Sequence, residues 1–438
     1  MKRLFCVVFA VLTVFLLTIS ASAVDYGCTV DPVADAVYLE NLDTGAVVYQ
    51  KQADKKMYPA STTKIMTYAV VADRVSDLDG TQIAIKDGLF DKIDPDSTVM
   101  GLSEYIGDSF SVRDLLYGMM LPSGNDAALV LADYVGSGIS GFVDMMNAKA
   151  AELGCKGTHF TNPHGLYDPD HYTTAHDLAV ITKYAMNTQS FMEITNTVEY
   201  TPKGFEYPIK NTNYMLYPQE QAGNYYYPYT RGIKTGYLDE AGKCLVTTAV
   251  KDDVTYLCVE LGTEYSFEED INYAMLDAIK FYDWAFTDLG KQTVYGPSDT
   301  VKSIPVKYSK GDVEVAAIPE KEIIALLPNK YNKDLVVVDI KCEDSVDAPV
   351  SKGDVLGTVS VRYDDMDLGT TNVVAAADVE RSEFKYIVSR IADFTSKHIV
   401  LVIFVIVLII ALIIAIAAVR ARNKRAQLRE RACRRYRD

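Results

Sequence analysis

The sequence predicts an α+β protein: a layered domain built on an antiparallel sheet, then a small all-β domain, then one membrane-spanning helix. Three observations predict it. Within the first 290 residues, strand patterns occur at the start and the end, with helical patterns between them. Short β-branched runs separated by Gly, Pro and Asp follow from about 295 to 380. Residues 399–419 are continuously apolar.

Composition limits the class of partner. The chain has 438 residues, of which 49% are hydrophobic and 23% charged, so it can form more than one packed domain and is not mainly disordered. The formal net charge is −16, and basic residues are concentrated at the two ends, so the segment between them is more acidic still. Such a surface argues against nucleic acid as a partner, because nucleic-acid binding depends on cations that neutralise phosphates.

Residues 1–23 have the pattern of a secretory signal peptide. Lys2 and Arg3 precede an apolar run, and Ala-Ser-Ala ending at Ala23 supplies the small residues of a cleavage site. A retained N-terminal anchor is the alternative. The five cysteines between the two hydrophobic ends are too few and odd in number for a disulfide framework. Cys244 and Cys258 flank a predicted hairpin and are either cross-strand neighbours or reduced core residues.

The C-terminal end predicts a single membrane span. Residues 399–419 are long enough to cross about 30 Å of hydrocarbon as a helix. Nine basic residues within 420–438 place the C-terminus in the cytoplasm. Residues 381–398 have apolar positions on one helical face and predict an amphipathic stalk. We therefore expect residues 24–398 outside the cell membrane, with 24–290 as the catalytic domain and 295–380 as the all-β domain.

Local signals predict the elements of the first domain in order. A hairpin over 36–50 turns at Asp43-Thr44-Gly45. Pro59 and Ser61 open a helix that ends near Arg74. The remaining predicted elements are helices at 111–120, 125–135, 176–187 and 268–287, strands at about 231–237, 242–250 and 254–262, and a Tyr-rich loop at 204–230.

The first candidate for chemistry is Ser61-Thr62-Thr63-Lys64. At the start of a helix, residues i and i+3 share a face, so the hydroxyl and the amine can meet. Serine becomes a nucleophile when a base takes its proton, and lysine is such a base once burial or a nearby cation lowers its pKa. Alone, the pattern fits equally an N-cap serine and a surface lysine.

Two further candidates are weak individually. Ser123-Gly124-Asn125 lies in a turn between two apolar helices, where a hydroxyl and an amide can face one cleft; a helix-breaking loop with Asn125 as N-cap is the alternative. Lys234-Thr235-Gly236 lies on a strand, and a strand glycine marks a close backbone approach or a bulge. A substrate carboxylate could be bound there, or the lysine could belong to an ordinary edge strand.

Together and in this order, the three motifs form a strong signal, because S-x-x-K, S-D-N and K-T-G are the motif set of penicillin-binding proteins and class A β-lactamases, and here Ser-Gly-Asn stands in place of Ser-Asp-Asn. The chain resembles the serine D-alanyl-D-alanine carboxypeptidases, the low-molecular-weight penicillin-binding proteins. The extended contexts that match are YPASTTKIMT at 58–67, LPSGNDAA at 121–128, NPHGL at 162–166, TAHDLA at 174–179 and GIKTGYLDEAG at 232–242.

The resemblance implies the transpeptidase-like fold of penicillin-binding proteins and β-lactamases, with helices on both faces of the antiparallel sheet. It implies that Ser61 attacks the bond between the last two D-alanines of a peptidoglycan stem peptide, that Lys64 is the base, and that Ser123 relays the proton. The other implied roles are substrate binding by Asn125, Lys234, Thr235 and Gly236, and an oxyanion hole from the N–H groups of Ser61 and Tyr237. β-Lactams would be inhibitors, and no metal or cofactor would be needed.

Other functions remain as alternatives. A β-lactamase needs a deacylating carboxylate, usually in an E-x-x-L-N setting, and the sequence has none. A D,D-endopeptidase of the same fold, or a non-catalytic penicillin sensor or scaffold, would share the motifs. His164, His171 and His176, with Asp177, could suggest a metal site, but their spacing matches no common zinc pattern.

One departure from the family concerns an arginine that commonly follows the strand after the K-T-G hairpin and binds the terminal carboxylate. In this chain no arginine occurs from 232 to 361. Arg231, three residues before Lys234, could replace it if a bulge turned its side chain into the cleft. Otherwise Arg231 is a solvated surface residue.

Overall fold

The computed structural model describes residues 26–435, except 92, 94–96, 266–270, 312 and 365. The predicted signal peptide lies outside the described residues. The chain forms two compact units. The first comprises the chain up to Gln292 with Ile324–Leu335 and Asp364–Met366, and the second comprises Thr293–Ile323, Val336–Tyr363 and the chain from Asp367.

A five-stranded antiparallel sheet is the centre of the first unit, in the order β2-β1-β9-β8-β7. Its strands are β1 (Ala36–Asn41), β2 (Ala46–Lys51), β7 (Thr230–Leu238), β8 (Gly242–Lys251) and β9 (Val254–Thr263). The predicted hairpin and the three predicted strands are confirmed to within one or two residues. Because β7 is the last strand in this order, one of its edges has no neighbouring strand in this sheet.

Helices cover both faces of this sheet, as the sequence predicted. They are α1 (Lys64–Arg74), α2 (Val112–Met120), α3 (Asn125–Gly136), α4 (Ile139–Glu152), α5 (Ala175–Met186), α6 (Phe191–Thr195), α7 (Gln219–Ala222) and α8 (Tyr273–Asp288). Short strand pairs join β3 (Gln82–Ala84) to β4 (Ser109–Ser111) and β5 (Glu199–Tyr200) to β6 (Ile209–Lys210).

The residues of β1 show why both faces are covered. Ala36 and Tyr38 pack in the core shared with α1 to α6, whereas Val37 and Leu39 pack in the core shared with α8. Successive strand residues point to opposite faces, so the apolar run Ala36–Leu39 at the start of β1 must be buried on both sides. The sheet is therefore the middle layer of three.

Two helices, α4 and α8, differ from the sequence prediction, and the predicted loop at 204–230 contains the short elements β6 and α7. The sequence analysis did not predict α4, in which only a narrow stripe, Phe142, Met146 and Ala150, is buried. The predicted helix at 268–287 begins at Tyr273, and residues 268–270 lie outside the described part of the chain.

The described cysteines are free. Cys244 pairs with Gly236, whereas Cys258 pairs with Thr247, so these two cysteines do not face each other across the strands.

The second unit carries a six-stranded sheet in the order β14-β16-β17-β12-β11-β15. The six strands of this sheet are β11 (Lys302–Lys307), β12 (Glu314–Pro319), β14 (Val336–Cys342), β15 (Val346–Asp347), β16 (Val355–Tyr363) and β17 (Met366–Ala375). A separate strand pair is formed by β10 (Leu289–Tyr295) and β13 (Ile323–Pro328). Most of β13 belongs to the first unit, where Leu326 is buried in the α8 core.

Two helices end the described chain. The first, α9 (Glu383–Lys397), exposes Phe384, Ile387 and Ile391 on one face and matches the predicted amphipathic segment. The second, α10 (Ile399–Arg435), begins at the predicted position and continues through the basic segment. Among the described residues, it is the one single helix long and apolar enough to cross a membrane.

Candidate active site

Ser61 lies on a 3₁₀ turn, Ala60–Thr63, that leads directly into α1. The sequence predicted an α-helix from Ser61, but the N–H and the hydroxyl of Thr62 both donate to the Pro59 carbonyl, and this tightens the first turn. Side chains at i and i+3 eclipse in a 3₁₀ turn. Oγ of Ser61 and Nζ of Lys64 consequently lie 2.9 Å apart.

Lys64 is fully buried, and its amine contacts three oxygens. Besides Ser61 Oγ, Nζ lies 2.7 Å from Oδ1 of Asn125 and 2.8 Å from the carbonyl oxygen of His164. Burial, then the charge of Lys234, hold the pKa of Lys64 well below its usual range, and Asp126 opposes them. A lysine with a lowered pKa can be neutral near pH 7, which is the state that accepts a proton.

Ser123 occupies the loop between α2 and α3 in the left-handed region, with φ of +67°. Non-glycine residues hold this conformation only where surrounding contacts enforce it. Thr98 Oγ1 donates to the Ser123 carbonyl at 2.9 Å, and the Asp126 carboxylate accepts from the N–H groups of three successive residues, Met100 to Leu102. Oγ of Ser123 is buried with no hydrogen-bond partner among the described residues.

Asn125 is the first residue of α3, and Gly124 occupies the N-cap position. The amide oxygen of Asn125 accepts a hydrogen bond from Lys64 and therefore does not cap the helix. The alternative that Asn125 is an N-cap is wrong. The S-x-N motif instead joins the Ser61–Lys64 pair to the second loop.

Lys234 is buried on β7, and its Nζ donates to the Thr235 carbonyl at 3.0 Å. Burial lowers the pKa of Lys234 to about 7. The hydroxyl of Thr235 is hydrogen-bonded to that of Thr212. A Cβ on Gly236 would lie 3.0 Å from the Ser61 nitrogen, so a glycine is needed where the strand passes the serine.

These groups open into one cleft of about 610 Å³. Of the eight residues predicted from the sequence, Ser61, Ser123, Asn125, Thr235, Gly236 and Tyr237 line it. Lys64 and Lys234 lie buried behind its wall. The structure therefore brings the three sequence motifs together around Ser61.

The cleft also contains residues that the sequence reasoning missed. Among them, Lys243 on β8 pairs with Tyr237 across the strands, and its Nζ lies 4.3 Å from the centroid of the Tyr237 ring. A second ring, that of Tyr265, lies 3.9 Å from the same Nζ. The sequence signal that could have identified Lys243 was the strand register. A short turn connects β7 and β8, so residue 243 lies opposite residue 237.

Arg231 does not line the cleft. The register shift that the sequence hypothesis required is present between Arg231 and Ile233. Nevertheless, Nη1 of Arg231 donates to the carbonyls of Thr230 and Pro228, at 2.7 and 3.3 Å. Its guanidinium is thus bound to its own loop.

The histidines have separate partners. Nε2 of His171 lies 2.8 Å from the Thr63 hydroxyl, and Nδ1 of His176 lies 3.2 Å from Oδ1 of Asp54. Within the described ranges, no group of three or more His, Cys, Asp or Glu side chains could hold a metal ion.

Residues 28–264 match the family model of D-alanyl-D-alanine carboxypeptidase. The chain belongs to this family. Residues 290–381 of this carboxypeptidase match a second model, the C-terminal domain of penicillin-binding protein 5.

Known relatives agree with the assignment of this carboxypeptidase. It is 32% identical over 359 residues to the D-alanyl-D-alanine carboxypeptidase DacF of Bacillus subtilis, covering 80% of this chain and 86% of the relative. It is 29% identical over 377 residues to DacC of Escherichia coli, covering 84% and 87%. Penicillin-binding protein 5 from Haemophilus influenzae has a similar structure, with a TM-score of 0.59 and 25% identity over 80% of this chain and 98% of that one.

Proposed function

We propose that this carboxypeptidase removes the terminal D-alanine from peptidoglycan stem pentapeptides through an acyl-enzyme on Ser61, and that β-lactams acylate the same oxygen. The observation that carries the proposal is the 2.9 Å contact between Ser61 Oγ and the buried amine of Lys64. A buried amine beside a hydroxyl is the arrangement of an activated serine nucleophile.

In the proposed reaction, neutral Lys64 takes the proton of Ser61 as Oγ bonds to the carbonyl carbon between the two D-alanines. The N–H groups of Ser61 and Tyr237 donate to the developing oxyanion. Ser123 passes the proton to the leaving amine as the C–N bond breaks and D-alanine departs. Water then attacks the acyl-enzyme, which releases the shortened peptide and returns the proton to Ser61.

Substrate recognition is proposed to use the open edge of β7. Asn125 would bind the peptide backbone, while Lys234 and Thr235 would bind the terminal carboxylate beside Gly236. Lys234 has a second proposed effect, because its charge disfavours protonation of Lys64.

The proposed topology is a single-pass cell-membrane protein. Residues 1–23 would be a cleaved signal peptide and residues 399–419 the span, with the catalytic domain (24–290), the all-β domain (295–380) and the stalk (381–398) outside. The basic segment 420–438 would be cytoplasmic. Support comes from the apolar helix α10 and from the basic residues that follow its apolar part.

Product analysis tests the reaction. Incubated with a stem pentapeptide, the ectodomain should release free D-alanine and a tetrapeptide, and a cross-linked dimer should be cleaved more slowly. Preferred cleavage of the dimer would show an endopeptidase. Penicillin bound and released within milliseconds would show a β-lactamase, and stable penicillin binding without any peptide product would show a sensor.

Lys243 is expected to contribute to carboxylate binding in place of the missing family arginine. Thr235 and Tyr237 lie on the same side of β7, and Lys243 is paired with Tyr237, so Lys243 and the Thr235 hydroxyl are diagonal neighbours on one face. We expect Lys243→Ala to raise KM for a D-Ala-D-Ala peptide about tenfold, since a tenfold loss in affinity corresponds to about 1.4 kcal/mol. Steady-state peptide kinetics measure this.

Arg231→Ala is the matched control, because it removes a cation from the neighbouring strand β7 at a position that does not line the cleft. Its KM should stay close to that of the wild type. A raised KM in Arg231→Ala together with an unchanged KM in Lys243→Ala would instead assign the carboxylate contact to Arg231.

A further inference from the structure

The three contacts of Lys64 leave one direction for its lone pair. The amide oxygen of Asn125 and the carbonyl oxygen of His164 can only accept hydrogen bonds, whereas the Ser61 hydroxyl can donate or accept. A neutral amine has two N–H bonds and one lone pair. When its two N–H groups donate to the two acceptors, the lone pair faces the Ser61 proton. The His164 carbonyl thus helps to decide whether Lys64 can act as a base.

That carbonyl lies on a turn organised by Asn162. Oδ1 of Asn162 accepts from the N–H groups of Gly165 at 2.7 Å and His164 at 3.3 Å, and its Nδ2 donates to the Leu166 carbonyl at 3.0 Å. An Asn side chain that bonds the backbone two and three residues later mimics a backbone turn. One side chain therefore holds both sides of the turn that carries the His164 carbonyl.

The turn also has little freedom to shift. The Thr67 hydroxyl donates to the Pro163 carbonyl at 2.6 Å, which fastens the turn to α1. Gly165 adopts φ of +90°, and a Cβ there would lie 1.9 Å from the Ala60 carbonyl oxygen. The turn is consequently packed against the same segment that carries Ser61.

We infer that Asn162 is a positioning residue, which acts through the His164 carbonyl to aim the lone pair of Lys64 at Ser61. The inference rests on the proposed role of Lys64 as the base. In the described part of the chain, the hydrogen bonds of Asn162 all lie within residues 161–166. Asn162 does not line the cleft.

The inference makes a prediction about pH. The ionisable groups that face Lys64 are Lys234 on β7, Asp126 on α3, and His164 and His171. Burial, more than the charges around them, lowers the pKa of His164 to about 3 and that of His171 to about 4, so both remain neutral where the enzyme would work. The histidines therefore do not contribute to the acidic limb of the acylation profile, which should report Lys64 together with Lys234, whose pKa burial lowers to about 7.

The experiment measures the rate constant of acylation by a saturating fluorescent penicillin across pH. Asn162→Ala should lower the plateau rate about 10- to 100-fold, because a catalytic group misplaced by about 1 Å can lose about 100-fold. Its acidic limb should move to lower pH, since the ammonium loses an acceptor that stabilised the charged form. A slower enzyme with more of its lysine neutral is a combination that simple loss of stability does not produce.

Asn162→Ser is the conservative variant, because a serine hydroxyl forms the same kind of turn more weakly. The loss of plateau rate and the shift of the acidic limb should both be smaller in Asn162→Ser. If Asn162→Ala fails to fold, Asn162→Ser alone provides the test. Asn147→Ala is the matched control. Asn147 hydrogen-bonds to both the N–H and the carbonyl of Phe160, just before the turn. Asn147→Ala should therefore lower the melting temperature without moving the acidic limb.

Two outcomes would overturn the inference: an unchanged plateau and limb in Asn162→Ala, or equal effects in Asn162→Ala and Asn147→Ala. Failure of the proposed function looks different, because the wild-type protein would then either form no adduct on Ser61 or release no D-alanine from the pentapeptide.

Discussion

Replacing Ser61 by alanine is expected to abolish acylation by penicillin and to lower the release of D-alanine by about 10⁴-fold or more, as loss of a nucleophile does in other serine peptidases. The reason is geometric. Ser61 Oγ is in contact with the Lys64 amine. Among the hydrogen bonds of the described residues, no other serine hydroxyl reaches that amine.

Intact mass spectrometry after penicillin treatment measures the result: one adduct in the wild type and none in Ser61→Ala. Ser103→Ala, at an exposed position of the short 3₁₀ helix Leu102–Tyr105, is the control and should keep the adduct. An adduct that persists in Ser61→Ala would place the nucleophile elsewhere.

Lys64→Arg is expected to give the second-largest effect, a loss of about 10²- to 10⁴-fold in the acylation rate, which is the range for a general base. Arginine stays protonated and positively charged at any working pH, so it cannot take the serine proton. Stopped-flow acylation with a fluorescent penicillin gives the rate constant.

The pH dependence of the wild type is the companion measurement. Since burial and Lys234 lower the pKa of Lys64, the neutral amine is present well below the usual lysine range, and acylation should rise with pH through that lowered pKa to a plateau. A Lys64→Arg enzyme that acylates at close to the wild-type rate would contradict the assignment of Lys64 as the base.

Much of the site was accessible from sequence because its residues belong to short motifs. Ser61 and Lys64 are three positions apart, and the helical spacing brings them together whether the first turn is α or 3₁₀. Gly236 was predicted to mark a close backbone approach or a bulge, and the 3.0 Å that would separate a Cβ at this position from the Ser61 nitrogen favours the close approach. The antiparallel sheet followed from strand alternation and turn residues.

The remainder depends on contacts between distant segments. Nothing near Asn162 in the sequence indicates that the carbonyl of residue 164 meets an amine 100 positions earlier. Lys243 enters the cleft through the β7–β8 register, and Arg231 leaves it because nearby carbonyls satisfy its guanidinium. Leu326 joins the α8 core from within the predicted all-β range, which no local pattern encodes.

The close backbone packing at Gly165 and Gly236 bears on how a β-lactam could be evaded. Any side chain at Gly165 would collide with the Ala60 carbonyl, and one at Gly236 would crowd the Ser61 nitrogen, so neither position can change without disturbing the nucleophile. The His164 contact to Lys64 comes from the main chain and survives substitution of its own residue. Side chains at the rim of the cleft, such as Tyr214, Asp239 and Lys243, are not subject to these two backbone constraints, so substitutions there leave the nucleophile in place.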